Sequence, residues 1–172
     1  VPEAWGGEEA LKRLCDAAHE KGVEVHCWFN SNTTPGSPIY THHPEWCLKR
    51  PTRKYYYGAG FEGHLIYLDM NREDLREYIL ERMREIREKT GLDGLWHDSF
   101  CLGMRTVNFD DPLLREQVEG SVKLVEGLGE LGYKYYTETV LGPLGPAILG
   151  VNPTVPFAQT TKTPAVYHDT CI

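Results

Sequence analysis

No stretch of about 18 consecutive apolar residues occurs in this 172-residue chain, so no membrane-spanning helix is expected. A basic stripe is also missing. Twenty-five acidic residues outnumber 18 basic ones, and the net charge of −7 argues against nucleic acid as a partner, because phosphates need cations to neutralise them. Lys and Arg stand mostly among glutamates, as between Glu81 and Lys89, which is the pattern of a solvated helix face. The five cysteines (Cys15, Cys27, Cys47, Cys101 and Cys171) are odd in number and never form a Cys-x-x-Cys pair, which points away from a zinc knuckle or a disulfide framework. Cys15 and Cys27 fall on apolar faces and read as small core residues, a usage that suits a reduced compartment. No secretory leader is visible and the chain starts at Val1 rather than Met, so it reads as trimmed or as a fragment, and its localisation is left open.

What is present is an ordinary globular composition, 41% apolar and 25% charged, at a length that makes one domain or a piece of one. Helical patterns alternate with short β-rich runs. The first helix is expected from about Gly7 to Lys21, with Leu11, Leu14, Cys15 and Ala18 as its apolar stripe and Gly22 ending it. Val23 to Asn30 follows as a strand, with Val23, Val25, Cys27 and Phe29 on one face and Glu24, His26, Trp28 and Asn30 on the other. Residues 31–63 form a long connection rich in Pro, Gly, Tyr and His, and a connection of that length in a compact domain is usually functional. Ile66 to Met70 is a short extended piece. Asn71 then reads as the N-cap of a helix from Arg72 to Thr90, with Glu73 and Asp74 in the positive first turn and Leu75, Ile79, Met83 and Ile86 as the buried stripe.

The run Gly91 to Phe100 is the next strand. It sets Gly94, Trp96 and Asp98 on one face and Leu95, His97 and Ser99 on the other. Asp111-Pro112 has the cap and first-turn proline of another helix, with Leu114, Val118, Val122, Val125 and Leu128 as its stripe and Gly132 after it. Tyr133 to Glu138 is a strand that places Lys134, Tyr136 and Glu138 together, and Pro164 to Asp169 reads as one more. About four strands alternating with three helices imply parallel pairing with right-handed crossovers. A full eight-stranded barrel takes about 250 residues. The expectation is therefore α/β: a single partial (β/α)8 TIM-barrel domain over residues 1–172, with the remainder of the barrel missing from this chain. An open α/β sheet is the alternative.

Chemistry in such folds gathers at the C-terminal ends of the parallel strands. Asp98, beside Trp96 on one strand face, is the leading candidate, with Glu138 and Asp169 as further strand-end carboxylates. Neighbouring strands lie about 4.8 Å apart, which permits Asp98 and Glu138 the roughly 5 to 5.5 Å separation of a retaining glycosidase. Trp28 and Trp46 offer flat apolar faces for sugar rings. His97 faces away from Asp98 and reads as a packed, hydrogen-bonded histidine on the helix side. His26, His42, His97 and His168 show no metal-ligand spacing, so neither metal nor cofactor is expected.

The segment "LDMNREDLREYILERMREIREKTGLDGLWHDSF", residues 68 to 100, resembles the part of glycoside hydrolase barrels that joins strand three to strand four. Asp69, Asn71, Gly91, Asp93, Gly94 and Asp98 match the α-amylase-like pattern, whose last Asp is the nucleophile, while that family's Arg is replaced here by Trp96. Gly94-Leu95-Trp96-His97-Asp98 is closer to the pattern of α-glucosidases and α-galactosidase-like enzymes, in which the same Asp is the nucleophile. "AHEKGVEVHCWFN" and "HPEW", residues 18 to 30 and 43 to 46, are similar to a broader group of glycosyl-hydrolase-like barrels. The resemblance implies retaining hydrolysis of an O-glycosidic bond, α-linked, on a carbohydrate partner. On this reading Asp98 is the nucleophile, and Trp28, Asn30 and Trp96, with Trp46, bind the sugar. It divides over the acid: amylase-like enzymes use a Glu after strand five, matching Glu138, whereas the galactosidase- and glucosidase-like clan uses a residue after strand six, near Asp169. Glu138 is the preferred expectation because its strand is the better formed. The alternatives are a non-catalytic carbohydrate-binding barrel and, from the dipeptides His97-Asp98 and His168-Asp169, a metal-dependent hydrolase.

Overall fold

The computed structural model describes residues 3–55, 65–98 and 106–137. Glu138 and Asp169, Cys101, Cys171 and His168, and the strand expected from Pro164 to Asp169, lie outside the described residues. Helix α1 spans Gly7–His19, β1 His26–Phe29, β2 Asn32–Thr33, α2 Pro38–His42, β3 Ile66–Tyr67, α3 Glu73–Thr90, β4 Gly94–His97, α4 Val118–Glu130 and β5 Lys134–Thr137, and single 3-10 turns cover Glu3–Trp5 and Pro44–Trp46.

Three strands form a parallel sheet in the order β1-β4-β5, with Trp28 opposite Trp96 and Trp96 opposite Tyr136. Each is preceded by a helix, and α1 packs against α3 and α3 against α4 on one side of the sheet. The core between them holds Leu11 and Cys15 from α1, Leu75, Ile79 and Met83 from α3, Leu124, Val125 and Leu128 from α4, and Leu95 and Tyr135 from the sheet. Gly91 stops α3 in the left-handed conformation (φ 72°), which lets the chain turn directly into β4. Strand, helix, adjacent parallel strand: this is the repeating unit of a (β/α)8 barrel, and the chain carries part of one.

The second face of the sheet carries Glu24, His26, Trp28, Trp96 and Lys134. It is tightly packed at its lower end. A Cβ on Gly94 would stand 2.2 Å from the His26 ring and 2.7 Å from the Lys134 carbonyl, so only glycine fits. Glu24 beside it accepts hydrogen bonds from Lys134 and from His26, which hold its carboxyl below the usual range.

Four expectations are corrected. Leu14 is exposed, because α1 buries only the narrower stripe of Leu11 and Cys15 with Gly7. Ile66 and Tyr67 are not part of the parallel sheet. They pair antiparallel with Asn32 and Thr33 in a separate two-stranded ribbon, so β1 meets β4 directly and residues 30–72 make an excursion between them. The helix expected from Asp111 begins only at Val118, and residues 111–114 form a turn in which Asp111 accepts from the Leu113 amide and Leu114 is left-handed (φ 47°). Asn71 does not cap α3, whose N-cap is Arg72. Its side chain reaches α4 instead, donating to the Glu116 carbonyl at 3.0 Å and accepting from the Gly120 amide at 3.3 Å.

Candidate active site

The parallel register sets the site. Asp98 follows β4 immediately, and its amide donates to the Phe29 carbonyl at 2.9 Å, extending the β1–β4 ladder by one bond. Alternation returns its carboxylate to the face of Trp96 and Trp28. There the Trp28 indole N–H donates to Asp98 Oδ2 at 3.1 Å, so two candidates 70 positions apart in sequence meet at the strand ends. Trp28 is 57% exposed and Trp96 half-buried, which leaves aromatic surface open beside a half-buried carboxylate. Asn30 follows β1. Its carbonyl oxygen accepts from the Asn32 amide at 2.8 Å, while its buried Nδ2 finds no hydrogen-bond partner among the described residues.

His97 is on the opposite face, wholly buried. Burial pushes its pKa down to about 3, against a smaller upward pull from the Asp98 carboxylate. The ring is therefore neutral, with one nitrogen donating and the other accepting. Nδ1 is hydrogen-bonded to the Tyr135 hydroxyl and Nε2 to the Ser31 hydroxyl at 3.0 Å, and the Phe29 ring packs edge-on with centroids 4.7 Å apart. Nothing in the sequence marked Ser31.

Trp46 is placed elsewhere. It is 4% exposed, its indole N–H donates to Asp74 at 3.0 Å, and the His43 ring stacks on it at 3.9 Å, so its faces are covered. Asp74 itself sits at about 2, chiefly because the Arg72 guanidinium is bonded to it, with the Trp46 indole adding to the effect. Asp74 and Arg72 line a cavity of about 830 Å³ at the start of α3, together with Asp69, Asn71, Asp111 and Arg115. The cavity does not include Asp98, Trp28 or Trp96. Two of its carboxylates are committed to the fold: Asp69 accepts from Asn108 Nδ2 at 2.7 Å and from the Asn71 amide at 3.1 Å, and Asp111 pairs with Arg115 at 2.9 Å.

Among the remaining residues of the matching sequence pattern, Asp93 holds the opposite ends of the strands together. It accepts from the Val25 amide at 2.8 Å and bonds His19 Nε2 at 2.7 Å. Burial raises its pKa, but these two contacts outweigh burial and leave it below the ordinary value. Among the described residues no group of three or more His, Cys, Asp or Glu is arranged to hold a metal ion, and no helix is long and apolar enough to cross a membrane.

A parallel α/β sheet with an acid and aromatic rings at the C-terminal ends of its strands is the arrangement in which (β/α)8 barrels carry their chemistry. Comparison with known proteins narrows this. The Melibiase family model matches residues 2–113, and the chain belongs to that family. The α-galactosidase AgaA of Geobacillus stearothermophilus is 31% identical over 77 residues, which is 44% of this chain and 10% of that protein. Its crystal structure superposes with a TM-score of 0.66 at 20% identity, over 94% of this chain and 23% of that one. The α-N-acetylgalactosaminidase NagBb of Bifidobacterium bifidum, solved with GalNAc, gives a TM-score of 0.65 at 22% identity, over 80% of this chain and 23% of its own. A maltogenic α-amylase from Thermotoga neapolitana shares the fold at a TM-score of 0.59 and 18% identity, over 80% of this chain and 30% of its own. The chain thus spans about a tenth of the curated relative and about a quarter of the solved ones.

Proposed function

We propose that this chain supplies the nucleophile half of a retaining α-glycosidase active site, with an α-galactoside as substrate. The observation that carries the proposal is the Trp28–Asp98 contact at the strand ends, inside the segment that matches the Melibiase family. The sugar class comes from the relatives, one an α-galactosidase and one an α-N-acetylgalactosaminidase solved with its sugar.

In this reading an Asp98 carboxylate oxygen attacks the anomeric carbon, the bond to the leaving oxygen breaks, and a covalent glycosyl-enzyme forms. A second carboxyl protonates the leaving oxygen, then takes a proton from the water that releases the sugar. The Trp28 N–H donates to one Asp98 oxygen and so fixes the orientation of the carboxylate. Trp28 and Trp96 pack on the C–H face of the ring, and Asn30 bonds a hydroxyl. Family membership moves the acid/base assignment towards Asp169, since the galactosidase-like pattern uses strand six. Glu138 remains the alternative: the β4–β5 ladder ends at His97 opposite Thr137, one residue short of both Asp98 and Glu138.

Hydrolysis of p-nitrophenyl α-galactoside by the full-length protein tests the reading. Asp98→Asn should reduce kcat by about 10⁴-fold or more while leaving the melting temperature near wild type, in keeping with loss of a covalent nucleophile. Added azide should not restore hydrolysis with retention. Turnover by Asp98→Asn above a hundredth of wild type, or sugar binding with no hydrolysis by the wild type, overturns the assignment. Of Asp169→Ala and Glu138→Ala, the acid/base variant is the one that keeps its activity on substrates with good leaving groups and loses it on alkyl galactosides, whose leaving oxygen needs the proton.

A further inference from the structure

The β1–β4 ladder closes at the Asp98 amide, and beyond Phe29 the first chain has no further backbone bond to β4 among those described. Two side-chain ties continue where the ladder stops, one on each face. On the open face Trp28 reaches Asp98, and on the helix face Ser31 Oγ meets His97 Nε2 at 3.0 Å. The His97 ring is itself anchored from β5 through the Tyr135 hydroxyl at Nδ1, and Tyr135 is as deeply buried as His97. One imidazole therefore joins β5, β4 and the exit of β1.

We propose that His97 is a positioning residue for the Asp98 site, locking the exit of β1 to β4 through Ser31 and so setting where Trp28 and Asn30 stand relative to the Asp98 carboxylate. The proposal rests on the reading of Asp98 as nucleophile.

Packing alone does not account for a histidine here. Leu95, two residues earlier on the same face of the same strand, fills its share of the core with no polar atom to satisfy. A wholly buried imidazole is costly unless both nitrogens are bonded, and here both are, one to Tyr135 on β5 and the other to Ser31 in the exit of β1. A half-turn of the ring puts carbon where each nitrogen stands, so flipping it breaks both bonds at once. That holds Ser31, and with it residues 28–31, in one place. Preorganised geometry of this kind is worth rate rather than affinity, because the reacting atoms must be held within a fraction of an ångström.

The test uses the full-length protein and p-nitrophenyl α-galactoside. Ser31→Ala removes the Nε2 partner at a half-buried position and leaves His97 and Tyr135 in place. We expect kcat to fall about tenfold with KM within about twofold, and little change in melting temperature. At position 97, Gln carries an amide near the place of Nε2 and Asn carries one near Nδ1. His97→Gln should therefore keep several-fold more kcat than His97→Asn at comparable loss of melting temperature. Wild-type kcat in Ser31→Ala overturns the proposal, as does a kcat that simply follows melting temperature across the position-97 variants. Asp98→Asn, run alongside, separates the two readings: if it is inactive while Ser31→Ala is unaffected, only the positioning role is lost, whereas if it is active the nucleophile reading itself is lost.

Discussion

Trp28 contributes to the site in two ways, as an aromatic surface 57% exposed and as the indole donor to Asp98. Substitution separates them. Trp28→Phe keeps a ring and removes the N–H, so the carboxylate loses one hydrogen bond, which for a charged acceptor is worth about 1.5–3 kcal/mol when well formed. Solvent at this exposed position replaces part of it, and we expect about a tenfold loss of kcat with KM nearly unchanged. Trp28→Ala removes the surface as well and should raise KM in addition. Steady-state kinetics on one aryl galactoside distinguish the two, and equal KM values for Phe and Ala would assign Trp28 to orientation alone. The same scale separates Trp28 from Trp46, which the sequence offers only as a tryptophan of the long connection. Trp28 lies within β1 and Trp46 in the connection after it, and their neighbours differ accordingly: Asp74 and His43 enclose Trp46, while Trp28 stands at the strand ends.

Asp93 links three elements, joining the start of β4 to the amide that precedes β1 and to His19 at the end of α1. Its carboxyl is 23% exposed, and its folded pKa is lowered from 3.8. A lowered carboxylate stabilises the fold fully above its unfolded value and ceases to do so as pH falls through the folded value. Asp93→Asn should accordingly cost about 1–2 kcal/mol at neutral pH, and the gap to wild type should narrow below about pH 4. Denaturant titrations at pH 7 and pH 3 measure this, and an equal gap at both would mean the ionised form is not what is stabilised. Gly120 makes the second element-scale case. A Cβ there would stand 1.9 Å from the Met70 carbonyl oxygen, a backbone atom that cannot swing away, so Gly120→Ala should destabilise by about 3 kcal/mol or more. Melting temperature reports it.

Elements were legible where a local period and a stop agreed. Leu75, Ile79 and Met83 followed by Gly91 define α3, and Gly94 to His97 is a short strand buried everywhere but at Trp96. The late start of α4 was hidden because Asp111-Pro112 reproduces a helix opening. The turn there is held by distant partners, with Arg53 bonded to the Phe109 carbonyl at 2.5 Å and Lys49 to Asn108 at 3.0 Å. Residues 30–72 were unreadable for the same reason: the Leu48 amide bonds the Tyr67 carbonyl and the Asp69 amide the Trp46 carbonyl, pairings no short-range pattern encodes. Because Ile66 to Met70 looks like a barrel strand, the direct β1–β4 contact that brings Trp28 to Asp98 was not visible either. The acid itself was legible, and its partner across the seam was a candidate without a known neighbour.

At the scale of the molecule, the parallel sheet has two sides to account for. Among the described residues β1 and β5 flank β4 and are the outer strands of the parallel sheet. A closed barrel has no such edges, and the solved relatives are about four times as long as the part this chain matches. The open face beside those edges carries Trp28 and Trp96 together with ionised Glu24 and Lys134, a mixture of exposed aromatic surface and charge. Where the outer strands of a partial barrel are left uncovered next to apolar surface, they recruit other strands. The 172 residues in isolation should therefore associate, with an apparent mass in sedimentation that rises with concentration through the micromolar range and binding of a dye that reports exposed apolar surface. Charge repulsion at −7 opposes this, so association should strengthen as salt screens it. A single 19.6 kDa species over the whole range, melting cooperatively, would mean instead that both edges are covered by residues outside the described set.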